Sequence, residues 1–296
     1  MPDLITPEFM QRLDRLDVVS RKMLRGTMQG ERRSKKRGQS VEFADYRNYV
    51  VGDDLRRIDW NLYARLDKLF LRLFLEEEDL SVSVVFDTTR SMDYGDPNKF
   101  LYAKQLAAAL GYIALTHHNR LSVYGFAGGI VQQLEGLRGR RPVPRLLDFL
   151  EQCPVSEDPG DLGAALRQLA LRHNRPGVVL LISDFMDKGE LSDALRYLAA
   201  PRFDVYAVQT LSPQEIEPGK GNIAGDLRLT DVEDGDVAEV SATSVLVQRY
   251  RATLQAYCQH VREQCVRRNI AYLNTPTDVP VETVVMKYFR ERGLLG

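Results

Sequence analysis

The sequence predicts a doubly wound, mainly parallel α/β sheet with helices on both faces, preceded by an N-terminal helix and an arm. Two observations lead to this prediction. Strand-like runs alternate with helical patterns from Leu80 to Leu211, which is typical of a parallel sheet built from strand-helix-strand units. In addition, every residue from Val178 to Ile182 is apolar, as expected for a strand that is covered on both faces.

The N-terminal part of the chain begins with a helix and continues as a basic segment. Thr6 followed by Pro7 marks a helix start, and apolar residues at helical spacing predict that this helix continues to about Leu24. The segment 26–38 is basic and lacks periodicity, so we interpret it as a linker or an ordered arm. Strand-like sequence begins at Leu69. We therefore predict an N-terminal region of residues 1–68 and an α/β domain of residues 69–296.

The elements of the α/β domain follow from the same periodicities. The strand that ends at Phe86 is followed by Asp96-Pro97, which we interpret as a helix N-cap with proline at the first helical position. Gly128-Gly129 separates two strand-like runs and predicts a hairpin, so that one edge of the sheet is antiparallel. The later predicted elements up to Leu211 are helices at 146–150 and 162–171, a strand at 178–182, a helix at 191–198 and a strand from 205.

Beyond Leu211 the sequence predicts four more elements. A second hairpin turns at Glu233-Asp234-Gly235-Asp236, and apolar residues at helical spacing between Val247 and Cys265 mark a long amphipathic helix. A short strand at 270–273 and a helix at 281–289 close the chain.

The composition excludes several classes of protein. The chain is 44% hydrophobic and 27% charged, as in ordinary globular proteins. No run approaches the roughly 20 apolar residues of a membrane helix, and the first residues lack signal-peptide features, so we expect a cytoplasmic protein without membrane insertion. Three cysteines and four histidines show no metal-site or disulfide spacing. The basic stretch from Arg21 to Arg37 has no aromatic residue for base stacking, so a nucleic acid is not the expected partner.

Two predicted parallel strands end on carboxylates, Asp87 and Asp184. In a doubly wound sheet such strand ends converge on one crevice. Asp87, Thr89 and Ser91 alternate along the chain, so their side chains share one side of an extended segment. Together with Asp184 they offer the oxygen ligands that Mg²⁺ or Mn²⁺ prefers. The alternative is that these acids bond only to the backbone of their own turns.

The pattern Asp87-x-Thr89-x-Ser91 with Asp184 resembles the metal-ion-dependent adhesion site of von Willebrand factor A domains. That site has the pattern Asp-x-Ser-x-Ser with a later Thr and a later Asp. The resemblance covers roughly residues 80 to 211, and it implies a von Willebrand A-like fold whose site binds Mg or Mn and an acidic group of a partner. Gly160 stands where the later Thr is expected. Asp161 could replace that ligand, but it is also the expected N-cap of the next helix.

A second resemblance lies upstream, in the blocks from Gly38 to Tyr49 and from Gly52 to Arg65, which we call the signature block. It is similar to the signature of the family catalogued as domain of unknown function 58. Members are typically encoded beside MoxR-type AAA+ ATPases, so the resemblance implies such an ATPase as a partner. We predict that the block either docks this partner or fixes the arm onto the sheet. The candidate partner-binding residues are Glu42, Asp45, Arg47, Asp53, Arg56, Asp59, Trp60 and Arg65.

The sequence thus predicts a non-enzymatic protein-interaction adaptor. The rival prediction is an aspartate-dependent phosphotransferase or phosphatase, because Asp87-Thr88-Thr89 also resembles the nucleophile loop of haloacid-dehalogenase-type enzymes. Asp184 with Asp187 could serve as the acidic pair of that superfamily. Those enzymes also need a lysine ahead of the pair, and no lysine occurs between Lys104 and Lys188. The chain also has no GxxxxGK[ST] loop, so it is not expected to hydrolyse ATP.

Overall fold

A computed structural model describes residues 4–20, 43–74, 80–172, 176–187, 189–199, 203–218, 225–230, 237–242 and 244–296. The chain divides into two compact units. The larger unit comprises residues 1–28 and 80–296, and the smaller unit comprises residues 29–79. The domain boundary between residues 68 and 69 stays a prediction.

The described strands are β1 (Phe43–Asn48), β2 (Phe70–Phe74), β3 (Ser81–Asp87), β4 (Arg120–Phe126), β5 (Ile130–Arg138), β6 (Gly177–Ser183), β7 (Phe203–Leu211), β8 (Gly225–Thr230), β9 (Val237–Ala242) and β10 (Ala271–Pro276). The described helices are α1 (Pro7–Leu13), α2 (Trp60–Leu66), α3 (Lys99–Thr116), α4 (Val143–Gln152), α5 (Leu162–Arg172), α6 (Leu191–Arg196), α7 (Pro213–Ile216), α8 (Ser244–Val266) and α9, which comprises the turns Val281–Thr283, Val284–Tyr288 and Phe289–Glu291. No helix among the described residues is long and apolar enough to cross a membrane.

The larger unit contains a six-stranded sheet in the order β10-β7-β6-β3-β4-β5. Neighbouring strands are parallel except for the antiparallel pair of β4 and β5. From β3 the chain proceeds to β4 and β5 on one side and later to β6, β7 and β10 on the other. The predicted doubly wound, mainly parallel fold is therefore confirmed, and the direction of winding reverses between β3 and β6.

Helices cover this sheet on both faces, as the apolar strand runs require. Every residue of β3 and of β6 is buried. Because successive side chains of a strand point to opposite faces, Val84 and Phe86 pack into one apolar cluster, whereas Val85 packs into a second. The first cluster includes Leu106 of α3, and the second includes Leu166 of α5.

The predicted N-cap of α3 is wrong. The helix begins at Lys99, and its N-cap is Asn98, whose side-chain oxygen accepts a hydrogen bond of 3.0 Å from the backbone N–H of Leu101. Asp96 and Pro97 precede the helix and are joined by a cis peptide bond. The asparagine cap satisfies one of the free N–H groups of the first turn, and the helix begins two residues later than predicted.

The predicted length of the N-terminal helix is also wrong, since α1 ends at Leu13. The chain beyond α1 pairs with the C-terminus, where the backbone N–H of Val19 donates to the carbonyl of Leu294 over 2.8 Å. Leu16, which fits the helical spacing, is buried here without a helix. Tertiary pairing thus decides the conformation. Three predicted segments lie outside the described residues: the last residues of the helix (21–24), the arm 26–38 and the turn 233–236.

The remaining strands join the fold in three ways. The hairpin of β4 and β5 and the antiparallel pair of β8 and β9 match the predicted hairpins. β10 extends the main sheet by pairing in parallel with β7. In the smaller unit, β1 and β2 form an antiparallel pair, and β1 and α2 arise from the signature block, for which the sequence predicted no regular elements.

Gly177 offers a test of the pairing between β3 and β6. A Cβ atom at this position would overlap the backbone carbonyl oxygen of Ser81 on β3, and a backbone atom of a buried sheet cannot move aside. We expect Gly177→Ala to lower the free energy of unfolding by about 1–3 kcal/mol, the usual cost of overpacking. Denaturant titration measures it. Gly128→Ala is the control because Gly128 is exposed and its added Cβ would make ordinary contacts. Equal stability of both variants would contradict the expected overlap.

Candidate functional site

The carboxyl ends of β3 and β6 meet at the reversal point of the sheet, where ligand sites of doubly wound folds lie. Asp87 is the last residue of β3, Asp184 follows the last residue of β6, and the two strands are direct neighbours. The four side chains that the sequence proposed as ligands all line one cavity of about 10 Å³. These are Asp87, Thr89, Ser91 and Asp184, and the lining also includes Gly160 and Asp187.

Asp87 accepts three side-chain or backbone hydrogen bonds at this cavity. Its Oδ1 accepts from the backbone N–H of Thr89 over 2.9 Å and from the Thr89 hydroxyl over 2.8 Å. Its Oδ2 accepts from the hydroxyl of Ser183 over 2.7 Å. The Thr89 and Ser91 hydroxyl oxygens lie 2.9 Å apart. The alternating residues of the motif therefore form one connected group of oxygen atoms.

The intervening residues point away from the cavity, as the alternation predicts. The hydroxyl of Thr88 donates to the carbonyl of Phe126 on β4 over 2.8 Å, so it anchors the motif to the neighbouring strand. The Arg90 side chain is half exposed and pairs with Glu157 at 3.2 Å. Thr88 and Arg90 therefore leave the cavity to the three oxygen-bearing side chains.

The loop after β6 is held in an uncommon backbone conformation. Phe185 has a φ of 58°, in the left-handed region that residues with a Cβ rarely adopt. Neighbouring elements hold it, because Gln209 of β7 donates to the carbonyl of Asp184 over 2.8 Å and the hydroxyl of Tyr257 on α8 donates to the carbonyl of Phe185. Strain that surrounding contacts maintain is common at functional sites.

Lys99 is a member of this site that sequence reasoning missed. Its Nζ donates to Oδ2 of Asp184 over 2.9 Å and to Oε1 of Glu215 over 2.5 Å, and its side chain is fully buried. The other oxygen of Asp184 accepts from the backbone N–H of Met186 over 3.0 Å. The available signal was a lysine at the first position of a helix with a broad apolar face, next to the motif. Its partners are 85 and 116 residues away in sequence, so spacing could not reveal them.

The cluster carries more negative than positive charge. Among the described residues of the site, Asp87, Asp184, Asp187 and Glu215 supply four carboxylates, whereas Lys99 supplies one ammonium. Burial raises the pKa of Asp87 to about 7, the nearby Asp184 adds to this rise, and hydrogen bonds from Ser183 and Thr89 oppose it. For Lys99, burial favours a lower pKa, but the carboxylates of Asp184 and Glu215 outweigh burial and raise it. A further cation would relieve the remaining negative charge.

The donor atoms at the cavity suit a small, hard cation. Among the described residues no three His, Cys, Asp or Glu side chains are placed to hold a metal ion together, so a cation here needs the hydroxyls of Thr89 and Ser91 besides Asp87. All of these are oxygen ligands, as Mg²⁺ and Mn²⁺ require. The cavity has about the volume of one water molecule. The residues present therefore fit the implied metal.

Gly160 stands where the sequence predicts a missing ligand, and Asp161 is the residue that could have replaced that ligand. Gly160 lines the cavity without a side chain, and Asp161 is absent from the lining. The Oδ1 atom of Asp161 instead accepts from the backbone N–H of Ala164 over 2.7 Å at the start of α5. Asp187 lines the cavity, and its Oδ2 accepts from the backbone N–H of Leu162 over 2.5 Å.

Part of the signature block forms internal contacts within the smaller unit. Arg47 pairs with Asp53 at 2.7 Å. Asp59 is buried, caps α2 through the backbone N–H groups of Asn61 and Leu62, and accepts from the hydroxyl of Tyr46 over 3.0 Å. These contacts give Arg47, Asp53 and Asp59 a structural role.

Other candidate partner-binding residues of the block face solvent. Trp60 is 60% exposed, and its ring contacts Tyr63 edge-on with centroids 6.2 Å apart. Arg56 and Arg65 are also exposed. Asp45 lies in β1, and Glu42 lies outside the described residues. The structure thus leaves an aromatic pair and two arginines on the surface of the smaller unit.

Comparison with known proteins finds one family and several uncharacterized relatives. The family model described as "Protein of unknown function DUF58" matches residues 45–264. The uncharacterized proteins Rv1480 of Mycobacterium tuberculosis and Mb1516 of Mycobacterium bovis are each 29% identical to this chain over 301 residues. The alignments cover 99% of this chain and 93% of each relative.

Solved structures similar to this chain share little sequence with it. The conserved hypothetical protein BatB from Bacteroides thetaiotaomicron has 13% identity and a TM-score of 0.42, over 72% of this chain and 98% of its own. The SpRpn10 VWA domain has 11% identity and a TM-score of 0.39, over 70% and 93%. Proximal thread matrix protein 1 from the mussel byssus, with a zinc-occupied MIDAS motif, has 14% identity and a TM-score of 0.42, over 73% and 46%.

The raised pKa of Asp87 gives a test by pH. The folded protein holds a proton on Asp87 up to about pH 7, whereas the unfolded chain releases it near pH 3.8. The folded state therefore binds more protons between these values, and the stability that Asp87 contributes is lost as pH rises through them. We therefore measure the free energy of unfolding at pH 5 and at pH 8 in the presence of a chelator. Between these values we expect it to fall by on the order of 2 kcal/mol more in wild type than in Asp87→Asn.

Denaturant titration at both pH values measures this difference. Asp158→Asn serves as the control because Asp158 is exposed on the loop beside the site, so its pH dependence should equal that of wild type. The same pH dependence in wild type and Asp87→Asn would show that Asp87 ionises as it does in water.

Proposed function

The chain belongs to the family of proteins of unknown function DUF58, and we propose that it is a non-enzymatic interaction protein with a cation-assisted binding site at its strand ends. The observation that carries this proposal is the cavity of about 10 Å³ around which Asp87, Thr89, Ser91 and Asp184 converge. The site would bind an acidic group of a partner protein. The expected cation is Mg²⁺ or Mn²⁺.

Charge supports a cation in this cavity. Isolated carboxylates are costly to bury, and Asp87 and Asp184 are each nearly inaccessible to solvent. Lys99 contacts Asp184 but makes no hydrogen bond with Asp87, whose described partners are neutral hydroxyls and a backbone N–H. Without a bound cation, a proton on Asp87 would neutralise its charge. A divalent cation would displace that proton.

The set of protein ligands supports a role for a partner carboxylate. Asp87, Thr89 and Ser91 would hold the ion directly, which leaves several of the octahedral positions of Mg²⁺ to water or to another molecule. Gly160 contributes no side-chain ligand on its side of the cavity. An Asp or Glu of a partner is a hard, negatively charged oxygen donor, so it suits an open position.

The phosphotransferase alternative gains one feature from the structure. Lys99 supplies a lysine beside Asp184, although it comes from the helix that follows Asp87 and not from the stretch between Lys104 and the acidic pair. Both oxygens of Asp87, which would be the nucleophile, are engaged in hydrogen bonds. These features favour binding over phosphoryl transfer.

We propose a second contact surface on the smaller unit for a MoxR-type AAA+ ATPase. Exposed tryptophan, tyrosine and arginine are the side chains that dominate binding energy at protein interfaces. Trp60, Tyr63, Arg56 and Arg65 supply all three types. Arg47, Asp53 and Asp59 would support this surface from within rather than contact the ATPase.

Calorimetric titration with Mg²⁺ and Mn²⁺ tests the strand-end site. We expect wild type to bind one ion per chain and Asp87→Ala to bind at least about tenfold more weakly, because it loses the one charged direct ligand. Asp158→Ala, which removes an exposed carboxylate near the site, should bind as wild type does. If Asp87→Ala binds the ions as tightly as wild type, the proposed site is wrong.

Co-purification tests the surface on the smaller unit. With a MoxR-type AAA+ ATPase from the same genome as bait, we expect Trp60→Ala to weaken the complex at least about tenfold, the scale of a tryptophan hot spot. Its circular dichroism should not change, since Trp60 is mostly exposed. Tyr197→Ala is the control, as Tyr197 is an exposed aromatic residue of the larger unit. Equal recovery of the ATPase with wild type and Trp60→Ala would rule out this surface.

A further inference from the structure

We infer that the buried ammonium of Lys99 is a permanent counter-ion of Asp184, and that its fixed positive charge sets the cation affinity of the strand-end site. A bound cation would then be held by Asp87, Thr89 and Ser91, with the positive charge of Lys99 close by. This inference rests on the proposed cation site and concerns how that site is tuned.

The first argument concerns the two oxygens of Asp184. One accepts from the ammonium of Lys99 and the other from the backbone N–H of Met186. An ammonium and an N–H group are donors only, so neither can turn into a metal ligand. Each oxygen keeps a second lone pair, but a cation that used it would lie close to the Lys99 ammonium and be repelled, so Asp184 is the less favourable ligand.

The partners of Asp87 behave differently. Two of its three hydrogen bonds come from hydroxyls, of Thr89 and Ser183. A hydroxyl is both donor and acceptor and rotates to suit its neighbours. The Thr89 hydroxyl can thus turn its lone pairs toward a cation while Asp87 keeps its bond to the Thr89 backbone N–H. The same cluster therefore contains one carboxylate with neutral partners, Asp87, and one that is paired with an ammonium, Asp184.

The position of the ammonium is fixed by a second carboxylate. Oε1 of Glu215 accepts from Lys99, and Oε2 of Glu215 accepts from the backbone N–H of Ser212 over 2.7 Å. The Ser212 hydroxyl accepts in turn from the backbone N–H of Glu215, which completes a capping box at the start of α7. Lys99 itself is fully buried at the first position of α3. Its charge cannot swing away into solvent when a cation arrives.

A fixed positive charge beside a cation site weakens binding by direct repulsion, most strongly where water is excluded. Loss of the ammonium should therefore tighten cation binding, although it removes a buried ion pair. A merely structural lysine would give the opposite result, because damage to the site weakens binding. The sign of the change thus separates the two roles.

Lys104 provides a matched control on the same helix. It is also buried, and its Nζ donates to the carbonyls of Cys153 over 2.6 Å and Glu151 over 3.4 Å. It lies over the ring of Phe100, 4.3 Å from the centroid. Lys104→Met therefore removes a buried ammonium from α3 without removing a contact of the strand-end site.

The experiment is a calorimetric titration with Mn²⁺ of wild type, Lys99→Met, Lys104→Met and Glu215→Gln, with circular dichroism to check folding. We expect Lys99→Met to bind roughly tenfold or more tightly than wild type, and Lys104→Met to be unchanged. Glu215→Gln should bind roughly tenfold more weakly, because it removes a negative charge and leaves the ammonium to Asp184 alone.

The outcomes separate this inference from the proposed function. A folded Lys99→Met that binds no tighter than wild type overturns the inference alone, as does an equal gain in Lys104→Met. If Lys99→Met does not fold, Glu215→Gln decides, and unchanged or tighter binding overturns the inference. If wild type binds no Mn²⁺ while Lys99→Met does, the inference stands and the cation-assisted function of the natural protein is wrong. No binding in any variant overturns both.

Discussion

Parallel pairing of β3 with β6 places the carboxylates of Asp87 and Asp184 at the same edge of a fully buried layer of strands. The pairing depends on close approach of the two backbones, which Gly177 permits opposite Ser81. It also creates the point at which the winding of the sheet reverses. Because helices cover both faces, the charges at this edge have little access to water and must be balanced by protein groups or by a bound ion.

The chain balances these two carboxylates in different ways. Asp184 receives an ammonium from Lys99, which Glu215 holds from the start of α7. Asp87 receives hydroxyls and a backbone N–H, and burial raises its pKa to about 7. One carboxylate is thus paired with an ammonium inside the fold, and the described partners of the other are neutral hydrogen-bond donors. This asymmetry supports a binding site at Asp87 and a supporting role for Asp184.

The smaller unit shows a similar division between internal and exposed groups. Arg47, Asp53 and Asp59 make ion-pair and capping contacts, whereas Trp60 and Arg65 face solvent. Charged residues that are dense in sequence can therefore serve two purposes. Arg47, Asp53 and Asp59 fix the backbone of the block, whereas Trp60 and Arg65 remain exposed.

The sequence by itself determined the α/β alternation, the antiparallel edge at Gly128-Gly129 and the strand-end acids, because these depend on local periodicity and on the ends of apolar runs. It also predicted correctly that Thr88 and Arg90 point away from Asp87, since alternation is a local property of an extended chain. Tertiary structure decided the rest. It ended α1 at Leu13 through pairing with the C-terminus, and it brought Lys99 to Asp184 and Glu215. Each of these outcomes depends on partners distant in sequence, which local spacing does not encode.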